Sequence, residues 1–186
     1  MIFSKPLYYV RDVKDYLVRK EDILLRASQN NFLLHHQDVK DHYSYISNTD
    51  YKFIRDSGNK WVKNDWFYFA LSNKDIEDYN KFVYKKFKKN KLEIYGAWFN
   101  QYNPDTGSEH FWHFHEGKNL TNIYFIELKD KSLRTILKHP KTGKEIIPRV
   151  KEGQMLTFDG RIEHMSPPNH TLTRKTVVSF NINFIE

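Results

Sequence analysis

Short apolar segments follow one another closely from Leu92 onward, and turns rich in Gly, Pro and Asn separate them. The turns lie at residues 103–107, 139–143, 151–153 and 166–169. Strands of this length, broken at such short intervals, are typical of antiparallel sandwiches and barrels. The sequence therefore predicts a mainly β fold for its second half.

Seven strands can be placed on this pattern, and seven or eight short strands favour a jelly roll, that is, a double-stranded β-helix. Residues 140–143 predict a hairpin turn between the fourth and fifth strands. Pro167 and Pro168 cannot continue a central strand, so we expect the chain to leave the sheet as a loop after His164 and to re-enter near Arg174. The predicted strands are residues 92–100, 111–115, 122–128, 133–138, 146–150, 154–158 and 176–184.

The first half of the chain mixes helical and strand-like signals. Apolar residues at helical spacing predict a helix within residues 12–28, and a second helix should begin after Ser72 or Asn73. Residues 66–71 fit either a buried strand or the entrance to that second helix, and residues 41–64 are expected to be rich in loops. The predicted fold class is α+β, mainly β, with N-terminal helices packed on the jelly roll. We expect a single domain over residues 1–186, in which about 1–91 support a core of about 92–186.

Composition excludes several classes of protein. Cysteine is absent, so disulfide frameworks, thiol enzymes, zinc fingers and iron–sulfur clusters are ruled out. The amino terminus lacks the apolar stretch and cleavage site of a secretory signal, and no later run approaches the length of a membrane span. We therefore expect a cytoplasmic protein without a membrane partner.

Positive charge is concentrated in one segment. The chain has 30 basic and 23 acidic residues, a net charge of +7, and six lysines fall within residues 81–91. Lysines at the carboxyl end of a helix complement its dipole, so a solvated basic face is the favoured interpretation. Binding of nucleic acid is the alternative, because basic surfaces attract polyanions.

Three histidines have the spacing of a metal site. His113 and His115 are two residues apart in a predicted strand, so their side chains share one face. His164 follows about fifty residues later at the end of another strand, where it could complete a set of three ligands that leaves other positions open. His110 should lie on the opposite face if the strand is regular. The remaining histidines, His35, His36, His42, His139 and His170, are interpreted as surface or packing residues.

The second half of the chain resembles the Fe(II)- and 2-oxoglutarate-dependent oxygenases, within them the prolyl-4-hydroxylase-like branch with small phage and bacterial members. The resemblance covers about residues 92–186 and follows the family's order of motifs. The matching pieces are Trp98, Asn100 and Tyr102 before a turn, the His113 and His115 pair, residues 122–126, residues 153–158, His164, and Arg174 ten residues later.

The resemblance implies a role for each matched position. His113 and His164 correspond to the proximal and distal iron ligands. Arg174 would pair with the C5 carboxylate of 2-oxoglutarate, and Tyr102 or Tyr124 would donate a further hydrogen bond to this cosubstrate. The implied cofactors are Fe(II) and 2-oxoglutarate, and no catalytic residue beyond the metal ligands is assigned.

One position departs from the family pattern. The family usually places Asp or Glu two residues after the first histidine, where this chain has His115. His115 is the favoured third ligand. Glu116 is the alternative, since it could supply a carboxylate if the strand ended at His115 and the chain turned.

The resemblance implies a dioxygenase, an oxidoreductase that hydroxylates a peptide residue or a small amino-acid-like substrate. Two alternatives stay open. One is an oxygenase that modifies nucleic acid, and the other is a cupin-like metal-binding domain without enzymatic activity. Arg174 distinguishes an oxygenase from a metal-storage domain, because only an oxygenase needs a cation for the far carboxylate of the oxo acid. The sequence does not indicate the oligomeric state.

Overall fold

The computed structural model describes residues 6–29 and 44–185. Within these ranges the chain forms eleven β-strands and four α-helices. The strands are β1 (Tyr8–Asp12), β2 (Ser44–Tyr45), β3 (Asn48–Thr49), β4 (Leu92–Tyr102), β5 (Ser108–His113), β6 (Leu120–Leu128), β7 (Ile136–Lys138), β8 (Glu145–Ile146), β9 (Gln154–Asp159), β10 (His164–Asn169) and β11 (Lys175–Phe184). The helices are α1 (Tyr16–Ser28), α2 (Tyr51–Asp56), α3 (Lys60–Ala70) and α4 (Asn73–Phe87).

The strands form two antiparallel sheets. The larger sheet has six strands in the order β1-β9-β6-β11-β4-β3, and the smaller has five in the order β2-β5-β10-β7-β8. The two sheets form a jelly roll, which confirms the predicted fold class. The hairpin predicted around residues 140–143 is also present, since Leu137 pairs with Ile146 and Lys138 with Glu145.

The first half of the chain supplies both helices and edge strands. β1 pairs with β9, β2 with β5 and β3 with β4, so this half extends both sheets. The lysine-rich helix α4 begins as predicted, because the Ser72 hydroxyl accepts a hydrogen bond from the Asp75 backbone N–H at 3.1 Å. No helix in the described ranges combines the length and the apolar character that crossing a membrane would require.

The two faces of the larger sheet differ in character. On β11, Val178, Phe180 and Ile182 belong to the apolar cluster that includes the helices. Lys175 and Ser179 alternate with these residues and line a cavity between the two sheets. We call the helix-covered side the outer face and the cavity side the inner face.

The prediction of a loop after His164 was wrong. Pro167 and Pro168 lie inside strand β10, which is hydrogen-bonded to β5 on one side and begins beside β7 on the other. The pairing of β10 with β5 shifts register between Ser166 and Asn169, so both prolines fall in an interruption of the ladder. A proline is tolerated at such a bulge because its missing N–H breaks no ladder bond.

Other segments also differ from the sequence-based expectation. Residues 66–71 belong mostly to helix α3, which begins at a cap where Asn59 Oδ1 accepts from Trp61 N. Residues 133–138 begin in a 3₁₀ turn, Lys131–Leu133, and only Ile136–Lys138 form a strand. The strand predicted at 146–150 is reduced to Glu145–Ile146.

Candidate metal centre

Three histidines converge in the cavity between the sheets. His113 ends strand β5 and His164 begins β10, and the two are paired across these neighbouring strands. His115 follows β5 by two residues. One ring nitrogen from each of the three lies within 4.8 Å of the others. The structure thus brings together the three residues that the sequence pattern selects.

Strand β5 ends before His115, so other contacts fix the position of that residue. The His115 backbone N–H donates to the Gly160 carbonyl at 2.8 Å. Gly160 in turn lies against the turn that follows His115, where a Cβ would be 2.6 Å from the Lys118 carbonyl oxygen. A larger residue at position 160 would therefore displace the segment that carries His115.

Backbone carbonyls orient two of the rings. His113 Nδ1 lies 2.7 Å from the Phe111 carbonyl oxygen, and His164 Nδ1 lies 3.0 Å from that of Ile162. A carbonyl can only accept, so each Nδ1 carries the proton and each Nε2 keeps its lone pair. This is the arrangement that outer contacts impose on metal-binding imidazoles.

Burial keeps the three rings neutral. It lowers the pKa of His113 and His164 below the ordinary histidine value and that of His115 to about 3. The neighbouring rings lower the pKa of His115 and His164 further. Metals bind the neutral imidazole, so no proton needs to leave these rings at pH 7 before an ion binds.

His110 lies on the inner face beside His113, contrary to the expectation from regular alternation. The two rings stack with centroids 3.7 Å apart and planes 17° apart. The cause is a bulge, because the three steps along β5 from His110 to His113 face only two steps along β10 from Ser166 to His164. The extra residue brings His110 to the same side as His113.

A buried lysine faces the same cavity. Lys175 is 1% exposed, its Nζ donates to Ser166 Oγ at 2.7 Å and lies 5.0 Å from the centroid of the Tyr102 ring. Burial lowers the pKa of Lys175 from 10.5 to about 7. Among the described residues no carboxylate pairs with it. The Tyr102 hydroxyl contacts Ser166 and Asn100, and burial raises its pKa.

Two residues selected through the resemblance lie elsewhere. Arg174 donates from Nε and Nη2 to the carboxylate of Glu127 at 2.7 and 3.1 Å, and it does not line the cavity. Tyr124 points to the outer face, where its ring packs on Tyr16, and its hydroxyl has no hydrogen-bond partner among the described residues. The structure therefore brings Tyr102 to the histidines but neither Arg174 nor Tyr124.

Glu116 is exposed and lies in the turn after β5, outside the cluster of three ring nitrogens. No acidic residue appears among the described residues that line the cavity. Their polar groups are hydroxyls, amides, imidazoles and one ammonium, on Asn100, Tyr102, Thr121, Thr135, Ser166, Ser179, the four histidines and Lys175. The lining thus combines three possible ligands for a cation with one ammonium group that would favour an anion.

The other histidines carry no such arrangement where they are described. His139 Nδ1 accepts from the backbone N–H groups of Lys141 and Thr142 and so shapes the hairpin turn. His170 is exposed. His35, His36 and His42 lie outside the described residues.

No protein-family model matches the sequence. No curated protein matches it either. Solved structures of 2-oxoglutarate- and iron-dependent oxygenases, however, have a similar fold.

A viral collagen prolyl hydroxylase from Paramecium bursaria Chlorella virus-1, solved with 2-oxoglutarate, superposes with a TM-score of 0.59 at 13% identity over 100% of both chains. A prolyl-4-hydroxylase from Pseudomonas putida gives 0.60 at 10% identity, covering 97% of this chain and 94% of that one. An α-ketoglutarate-dependent epimerase of nogalamycin biosynthesis gives 0.65 at 12% identity over 96% and 78%. The chain therefore has the fold of these oxygenases, as the sequence resemblance predicts.

Proposed function

We propose that this protein is an Fe(II)- and 2-oxoglutarate-dependent dioxygenase that hydroxylates a small or peptide substrate. The observation that carries the proposal is the convergence of three neutral histidines and one buried lysine in a single cavity between the sheets. The shared fold supports it. In the overall reaction, one oxygen atom of O₂ enters a substrate C–H bond, and the other enters succinate as 2-oxoglutarate loses CO₂.

The donor set fits a divalent transition metal. Three imidazoles in one cluster favour iron, zinc, copper or nickel over magnesium or calcium, which prefer oxygen ligands. His113, His115 and His164 would hold the ion, with the carbonyls of Phe111 and Ile162 fixing two of the rings. When bound, Fe(II) and 2-oxoglutarate would together activate O₂, which is the oxidant for an unactivated C–H bond.

Lys175 is the residue that we propose for the far carboxylate of 2-oxoglutarate. It lines the cavity with the histidines, and it is buried without an anionic partner among the described residues. A carboxylate beside it would restore its charged form and remove the cost of burying an unpaired cation. Ser166 and Tyr102 lie against the same Nζ and would orient it.

Arg174 is a weaker candidate for that role because Glu127 already engages its guanidinium. Lys175 is also the feature that distinguishes the oxygenase from a cupin-like metal-storage domain. A domain that only stores metal has no use for a buried, unpaired cation in the metal cavity, whereas an oxygenase must hold the oxo acid.

The decisive experiment measures anaerobic binding of Fe(II) and 2-oxoglutarate by calorimetry, followed by succinate after air is admitted. Lys175→Met should retain Fe(II) and lose 2-oxoglutarate affinity by more than about tenfold, the effect of a lost charge-assisted hydrogen bond. Arg174→Met is the matched control and should bind both. Loss of 2-oxoglutarate affinity in Arg174→Met but not in Lys175→Met would return the cosubstrate role to Arg174. A wild-type protein that binds metal without consuming 2-oxoglutarate would refute the proposed dioxygenase activity.

A second pair of variants tests the ligand set. His115→Ala should weaken Fe(II) binding strongly, and Glu116→Ala should leave it unchanged, because only His115 reaches the cluster. Loss of metal in Glu116→Ala with retention in His115→Ala would show that the carboxylate is the third ligand.

A further inference from the structure

A second cavity, of about 230 Å³, adjoins the metal cavity. His115 and Trp98 line both, so a molecule in the second cavity would lie directly beside a metal ligand. Its volume is below the roughly 300–1,000 Å³ that is usual for drug-sized ligands. The size suits a molecule no larger than an amino acid.

The first half of the chain builds one wall of this second cavity. Tyr51 and Ile54 come from α2 and Lys63 from α3, in the region whose role the sequence does not reveal. The Tyr51 ring packs edge-on against Trp98 with centroids 4.9 Å apart. Together with Phe114, these side chains give the cavity an apolar, largely aromatic lining.

A bulge in β4 brings the Tyr95 ring to this cavity. Asn181 and Ile182 of β11 pair with Gly96 and Ile94, so Tyr95 is an extra residue in the ladder. Tyr95 is half exposed and lines the cavity. The bulge thus turns the aromatic ring of Tyr95 towards the cavity.

Two ammonium groups lie over that ring. Lys63 Nζ is 5.9 Å from the centroid of Tyr95, and Lys118 Nζ is nearer still. Neither lysine forms an ion pair with the residues that the structure describes, whereas Arg55, at the same cavity, pairs with Asp56. Both lysines line the same cavity without a carboxylate partner among the described residues, so together they favour an anion there.

The rim also carries one negative group. Glu116 lines the same cavity and is exposed, and it forms no ion pair within the described ranges. The free charges at the rim are therefore two positive and one negative. An α-amino acid complements this set, since its carboxylate suits the lysines and its ammonium suits the glutamate.

We propose that the substrate is a free amino acid with an apolar side chain, bound with its carboxylate at Lys63 and Lys118 and its ammonium group at Glu116. This inference rests on the proposed function and narrows its substrate class. The side chain would lie among Tyr51, Trp98 and Phe114 and approach the metal past His115. A residue within a peptide chain lacks both charged groups and would leave the rim charges unpaired.

The test uses protein loaded anaerobically with Fe(II) and 2-oxoglutarate. Leucine, isoleucine, methionine, proline and phenylalanine are titrated one at a time by calorimetry, each beside its amide and its N-acetyl derivative. At least one free amino acid should bind, and its amide and its N-acetyl form should each bind at least about tenfold more weakly, because each loses one charged contact. Equal binding of either derivative, or no binding by any of the five, would overturn the inference.

Variants locate the site. Lys118→Gln should weaken the amino acid at least about tenfold and leave 2-oxoglutarate affinity unchanged. Lys60→Gln is the matched control, because Lys60 lies on the same helix as Lys63 but pairs with Glu93 and does not line the cavity. Equal affinity in Lys118→Gln and Lys60→Gln would overturn the assignment.

A variant that reduces the volume of the cavity tests the same site without changing a charge. A Cβ at Gly96 would make only ordinary contacts, at 3.9 Å from the Lys63 carbonyl oxygen and 4.0 Å from Ile54 and Trp98. Gly96→Ala should therefore fold and weaken amino-acid binding by reducing the cavity. Unchanged affinity in this variant would place the amino acid elsewhere.

Succinate production without amino acid is measured on the same protein. If the protein forms succinate but binds none of the five amino acids, this inference is wrong and the proposed function stands. Failure to bind 2-oxoglutarate and to form succinate would defeat the proposed function itself.

Discussion

The two faces of the six-stranded sheet are built from the same strands but have different roles. The outer face packs Phe180 against Phe67 and Tyr79, with ring centroids 4.9 and 5.7 Å apart, and stabilises the fold through apolar burial. The inner face buries Lys175 and the histidines, whose charged forms burial disfavours. One face thus stabilises the fold, while the other holds groups that are costly to bury and useful in chemistry.

The largest expected effect is the loss of metal binding when a histidine of the inner face is removed. His164→Ala should abolish metal binding, a greater loss than the roughly 10–100-fold that removal of an outer contact causes. Calorimetric titration with Fe(II) under argon measures it. His170→Ala, an exposed histidine of the same segment, is the control and should bind like the wild type. Retained affinity in His164→Ala would remove the distal ligand from the proposal.

Removing an aromatic ring from the outer face should affect stability instead. Phe180→Ala should lower the free energy of unfolding by about 3–5 kcal/mol, because Phe180 is 1% exposed and its loss leaves a cavity. Ser179→Ala, the adjacent inner-face residue, should change it by about 1 kcal/mol or less. Urea denaturation of both variants measures the difference, and similar losses would contradict the division between the faces.

The free-energy cost of burying Lys175 on the inner face should make the unfolding free energy depend on pH. The pKa of Lys175 is lower in the folded state than in the unfolded state, so the unfolded chain binds more protons between about pH 7 and 10.5. The unfolding free energy of the metal-free protein should therefore rise with pH from 7 to 9, by roughly 1 kcal/mol per pH unit. Lys175→Met should flatten this rise, while exposed Lys60→Met should keep it. An equal slope in Lys175→Met would show that the lysine is not buried in solution.

The smallest effect is expected at the lysine-rich end of α4. Replacing Lys85, Lys86, Lys88 and Lys89 with Gln should leave succinate production unchanged, because exposed charges on a helix contribute little to a site between the sheets. Binding of DNA or RNA that falls steeply with salt, and is lost in this variant, would favour the nucleic-acid alternative.

The sequence predicted the parts of the site that follow from local rules. His113 and His115 share a side, although β5 ends before His115. His110 was predicted on the wrong face, because its orientation depends on a bulge in the pairing of β5 with β10. The strand β1 also escaped prediction, since its partner β9 lies about 145 residues further along the chain.

Lys175 was missed for a different reason. Strand β11 is buried on both faces, so its side chains show no alternation of apolar and polar residues from which to read the inner face. Only the packing of the helices on the outer face shows that Lys175 and Ser179 point to the inner face. Arg174, one residue earlier, falls on the opposite side and pairs with Glu127. A shift of one residue along a strand thus decides which cation meets the histidines.

No carboxylate lines the metal cavity in the part of the chain that the structure describes, and this has a consequence for how the protein takes up its metal. A divalent ion held by three neutral imidazoles would keep its whole charge, with the Lys175 ammonium nearby. The doubly negative oxo acid would offset both, so each ligand would raise the affinity of the other by the same factor. The supply of oxo acid, as much as the supply of iron, would then set the fraction of protein molecules that hold metal.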